Sequence, residues 1–99
     1  KQLLHSIRSR AFDNYEGSGY QKEIDAIGDK DVFRDIILAE RGWEFCWEGM
    51  RRPDLIRHGK LISNARERGK VMAEEKHILY AIPQSAIYEN PNIKNNSGF

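Results

Sequence analysis

Cysteine is almost missing from this chain: Cys46 stands alone among 99 residues. No internal disulfide and no thiolate metal cluster can form from it. No apolar run approaches the roughly 18 residues that a membrane-spanning helix needs. Neither charge dominates, because sixteen Lys and Arg against fifteen Asp and Glu leave a formal charge of +1. A dedicated nucleic-acid binder draws most of its affinity from a strong basic excess, which this balance does not supply. There are no repeats and no low-complexity tract. Gly17-Ser18-Gly19 is too short for a phosphate-binding loop, and nothing strand-like precedes it. His5, His58 and His77 are far apart, and none shares a helical face with a spaced carboxylate, so no metal site is expected.

What is present suits a packed chain. A hydrophobic content of 39% with 31% charged residues supports a core and argues against disorder over the whole length. The length allows one small domain or a piece of one. A chain this short buries only about two-thirds of the surface exposed by its unfolded form. Lys1 is not a Met, and Leu3, Leu4 and Ile7 already fall at helical spacing without a capping residue before them. Residues 1–99 are therefore expected to be one segment of a longer protein, opening inside a helix.

The pattern predicts a mainly α chain with long loops. Leu3 to about Phe12 reads as a helix with an apolar side of Leu3, Leu4, Ile7 and Ala11. Asp13 to Gly19 is a loop, and Tyr20 to Ile27 a short helix ending at Gly28. The strongest element is a helix from Asp31 to about Met50, capped by Asp29 or Asp31. Val32, Phe33, Ile36, Ala39, Trp43, Cys46, Trp47 and Met50 fall on one broad face of it, with Leu38 and Phe45 roughly opposite. Trp43, Trp47 and Cys46 are accordingly expected in the core. Pro53 fits the first turn of a short helix, Asp54 to His58, stopped by Gly59. Residues 60–76 should be helix then loop. His77–Ile82 is the only extended, strand-like stretch, and Gln84–Tyr88 a single helical turn before a polar tail.

Glu40, Glu44 and Glu48 lie on one i, i+4 row, and paired carboxylates can perform acid/base chemistry. Nearby arginines favour a structural ion-pair network instead. The expected members are Glu40, Glu44, Glu48, Arg51, Asp54 and Arg57, with no catalytic residue among them. The run from Arg51 to Lys70 could follow a phosphate backbone, but interspersed acids favour a solvated, ion-paired surface. Tyr15 and Tyr20, in or beside the glycine loop, are the candidates for exposed stacking against a ligand.

Ile36 to Lys60, IILAERGWEFCWEGMRRPDLIRHGK, resembles the C-terminal signature of the SusD/RagB family, outer-membrane nutrient-binding lipoproteins of Bacteroidetes-type bacteria. The matching positions are Glu40-Arg41, Glu44, Trp47, Glu48-Gly49, Arg51-Arg52, Asp54-Leu55, Arg57 and Gly59-Lys60. Leu79 to Ser85 is similar to the family's LLYPIPQSE stretch, and Asn90 to Phe99 to its NPNLTQNPGY ending. Ile7 to Ala11 is similar to its IRARAG helix. Gly42, Met50 and Ala81 depart from the usual residues at their positions.

The resemblance implies a helical C-terminal segment of a longer, tetratricopeptide-containing protein. It implies a lipid anchor on an N-terminal Cys outside these residues, on the cell-surface side of the outer membrane. Its partners would be a glycan and a SusC-like TonB-dependent transporter, to which oligosaccharides pass without catalysis or cofactor. No nucleic-acid partner is implied. Exposed apolar helix faces would promote self-association of this stretch by itself. The competing reading is a small intracellular helical module that binds nucleic acid or protein through its Arg/Lys-rich surface.

Overall fold

The computed structural model describes all of residues 1–99, as six α-helices and one 3₁₀-helix without a strand. The fold is mainly α. The chain divides into two compact units, Lys1–Glu48 and Gly49–Phe99.

The first unit holds α1 (Gln2–Ala11), α2 (Gly19–Ala26) and α3 (Lys30–Glu44). Two of its starts are capped as local chemistry demands. Ser18 Oγ accepts from the Gln21 N–H at 3.3 Å, opening α2. Asp29 accepts from Asp31 and Val32 N–H at 2.8 and 2.9 Å, opening α3. Along α1, Lys1 and His5 reach Asp25 while Arg8 reaches Tyr20 and Glu23, so α2 runs antiparallel to it. Arg8 meets Glu40 and Arg10 meets Glu44, so α3 runs parallel to α1. Leu4, Tyr15, Ile24 and Leu38 are buried, together with the charged Arg8.

The long helix stops about six residues earlier than its apolar spacing predicts. After Glu44 the backbone tightens into turns: Cys46 N–H bonds to Trp43 O and Glu48 N–H to Phe45 O. Trp47 and Gly49 then take left-handed φ values of 69° and 74°. Once the 3.6-residue period is lost, side chains beyond Glu44 no longer continue the helix face. The core assignment of the tryptophans is thereby overturned. Trp43 is 68% exposed and Trp47 100% exposed, and Cys46 is also at the surface. Leu38, placed opposite the broad apolar face, is the residue of α3 that is buried.

The second unit holds α4 (Arg51–Arg57), α5 (Leu61–Glu67), a 3₁₀ turn over Glu75–Ile78, and α6 (Gln84–Glu89). Helices of six or seven residues have no stability of their own, so their ends are tied individually. Both α4 and α5 end on the same device. Gly59 N–H bonds to Ile56 O and Lys60 N–H to Leu55 O, at 2.9 and 2.8 Å. Ten residues on, Gly69 bonds to Arg66 O and Lys70 to Ala65 O, both at 2.9 Å. These are paired Schellman closures, with glycine in the left-handed conformation at φ 64° and 83°. Leu55 and Ile62 form the apolar centre beside buried Asp54. The stretch expected to be extended over 77–82 is 3₁₀ to Ile78 and extended only from Leu79, where it pairs with no strand.

Candidate functional site

Three clusters carry the polar chemistry, two in the first unit and one in the second. At the first, Arg8 Nε donates to Glu40 Oε1 at 2.7 Å, and its Nη2 reaches the same oxygen. Nη1 reaches Glu23 Oε2 at 3.2 Å. Burial works against the guanidinium charge, but the bonds to Glu40 and Glu23 outweigh it and hold the Arg8 pKa above its ordinary value. The charge therefore stays on, matched on both sides. Next along α1, Arg10 Nη2 pairs with Glu44 nearer the surface.

At the second cluster, His5 joins three segments. Its Nδ1 lies 2.7 Å from Tyr15 Oη and its Nε2 3.2 Å from Asp25 Oδ1. Burial, seconded by the negative charges of Asp25 and Glu40, lifts the Tyr15 pKa above 10.0, although Arg8 pulls the other way.

The third cluster closes the end of the chain. Arg52 Nη2 donates to the carbonyls of His77 at 2.6 Å and Ile78 at 3.1 Å. Its guanidinium lies over the Tyr80 ring, 4.3 Å from the centroid. Asn96 Nδ2 donates to Tyr80 O at 2.6 Å, and Ile82 N–H to Asn95 Oδ1 at 2.9 Å. The polar tail is thus an organised return over residues 80–82.

The expected site residues are distributed among these features. Glu40 and Glu44 find partners on α1, at Arg8 and Arg10, rather than among the arginines that follow them. Glu48 lies in the exposed turn after α3, and Arg51 opens α4. Buried Asp54 pairs with Arg57 within α4. Tyr15, expected to be open for stacking, is only 5% exposed, with its ring beside that of His5, centroids 5.9 Å apart, and its hydroxyl on His5 Nδ1. Tyr20 is half open, its ring stacked on Phe12 with centroids 4.8 Å apart. From the sequence, Arg8, Arg52, Asn95 and Asn96 were named only within matching stretches, without the roles they have here. Arg8 had a signal available, since it follows Leu4 by one helical turn on the inward side.

Beside the Arg8–Glu40 pair, α1 and α3 enclose an open apolar groove of about 380 Å³. Leu3, Leu4, Ile7, Phe33, Ile37 and Phe45 line it, with Glu40, Arg41 and Glu44 on its margin. No group of three His, Cys, Asp or Glu side chains is placed to hold a metal ion. No helix is long and apolar enough to cross a membrane.

Among protein families, SusD matches residues 1–99, the whole chain. The chain belongs to the SusD family. No curated protein and no solved structure matches it. The SusD family is one of non-catalytic glycan- and nutrient-binding proteins at the cell surface. The family is generally associated with the outer-membrane surface and with SusC-like transporters.

Proposed function

We propose that residues 1–99 are the C-terminal segment of a lipid-anchored SusD-family protein that captures oligosaccharides and delivers them to a TonB-dependent transporter. The family match along the whole chain is the observation that carries this reading. In it, Glu40, Glu44, Asp54 and Arg57 are architectural, because each is engaged in an ion pair inside its own unit. The exposed Leu3, Trp43 and Trp47 offer apolar surface that self-association of this stretch would cover.

The Arg-rich module reading draws no support from how its arginines are used. Arg52 is bound to carbonyls, Arg57 to Asp54, Arg66 to Ala73 O and Arg68 to Asn64 O. Guanidiniums committed in this way are poorly placed to follow a phosphate backbone.

Affinity purification of the intact protein from detergent-solubilised outer membranes tests the delivery step. A large β-barrel transporter should co-purify in comparable amount, and external protease should cleave the protein on whole cells. Recovery from the soluble cell fraction without such a partner would count against the proposal.

A further inference from the structure

Tyr80 follows the 3₁₀ turn on an extended stretch, and its side chain is 73% exposed. A surface tyrosine is ordinarily free to change rotamer, but here Arg52 braces one face of the ring. The brace is itself fixed, since the Arg52 guanidinium is spent on the His77 and Ile78 carbonyls. The backbone beneath the ring is fixed too, by Asn96 on the Tyr80 carbonyl and Asn95 on the Ile82 N–H. The result is an aromatic ring with one face against a guanidinium and the other toward solvent. The other candidates noted for stacking lack that geometry: Tyr15 is buried and Tyr20 lies against Phe12.

We propose that the open face of Tyr80, braced by Arg52, is a stacking platform for a pyranose ring; this rests on the carbohydrate reading above. A pyranose presents a flat patch of C–H groups on one face, and the face of an aromatic ring carries the negative part of its quadrupole. Such contacts are weak one at a time, so they reward a ring that is already held in place before the ligand arrives. Tyrosine also supplies a large contact area at little conformational cost. Arg52, Asn95 and Asn96 provide the prior ordering, and Asn95 and Asn96 come from the polar tail.

The test is calorimetric titration of the intact protein with maltoheptaose, xylohexaose, mannohexaose, a galacturonic acid hexamer and a glycosaminoglycan hexasaccharide as separate probes. For a saccharide that binds, Tyr80→Phe should keep the affinity within about twofold, because stacking uses the ring and not the hydroxyl. Tyr80→Ala should weaken it about tenfold. Tyr88→Ala, which removes a ring 80% exposed, should leave it unchanged. In the unsubstituted protein, nuclear Overhauser effects should connect sugar C–H protons to the Tyr80 ring, a readout independent of how any variant folds. Binding that survives Tyr80→Ala undiminished overturns the platform and leaves the carbohydrate reading standing. Failure of the unsubstituted protein to bind any of the five overturns both.

Discussion

Arg8 and Glu40 are 32 positions apart, yet the buried Arg8 guanidinium closes on a single Glu40 oxygen through Nε at 2.7 Å and through Nη2. The contact joins the middle of α1 to α3 and fixes how the two helices sit side by side. Arg8→Ala leaves the Glu40 carboxylate enclosed without its partner, which costs about 3 kcal/mol, the low end for breaking a buried pair because Glu23 opens one side to water. Arg8→Met combined with Glu40→Leu should recover most of that loss, since no buried charge is left unpaired and Glu23 stays open to water. Urea unfolding of the two variants checks both expectations.

Tyr15 predicts an alkaline signature. Its folded-state pKa is raised, chiefly by burial, so folding favours the neutral phenol. The stability it contributes is complete below the unfolded value near 10.0 and is lost as pH rises from there through the folded value. The tyrosinate absorbance should therefore show a component that titrates above the ordinary tyrosine value. Tyr15→Phe should remove that late component, at a cost of about 1 kcal/mol for the lost bond to His5.

The Schellman closures predict equal penalties at two separated glycines. Gly59→Ala and Gly69→Ala meet no steric obstacle, because nothing lies within 4 Å of either added Cβ. The cost is conformational alone, about 1 kcal/mol each for an L side chain held at positive φ. Thermal unfolding should show both losses, and the two should add in the double variant.

The tryptophans predict an absence of effect. In the unassociated chain Trp43 and Trp47 are both open to water, so at low concentration iodide should quench their fluorescence readily and emission should lie at the solvent-exposed end of the range. Trp47→Ala should change stability by less than about 0.5 kcal/mol. A buried core residue of this size would cost about 3–5 kcal/mol instead.

These contrasts show which parts of the molecule can be read in advance. Two helix boundaries were legible because their determinants are local: Asp29 caps α3, and Gly59 marks the end of α4. The end of α3 was not. An apolar spacing that fits a helix as far as Met50 is equally compatible with a left-handed turn at Trp47, and spacing carries no record of φ. The pairing of Glu40 was also out of reach, because nearby arginines satisfy an i, i+4 rule while the actual partner depends on how α1 folds back. The burial of Tyr15 was out of reach for a similar reason: glycine-rich loops are usually exposed, but His5, ten positions earlier, holds this tyrosine inward. Family membership, in contrast, was legible from the residues themselves, since the ordered blocks from Ile7 to Phe99 resemble the family that the whole chain then matched.

Carbohydrate capture is the claim on which the functional account depends. Electrophoresis of the intact protein through native gels containing soluble polysaccharides, one per gel, tests it most directly. The account predicts retardation by at least one glycan relative to a non-binding reference protein, relieved when that glycan's free oligosaccharides are added. Unchanged mobility in starch, xylan, mannan, pectin and host-type glycosaminoglycan gels alike would contradict it.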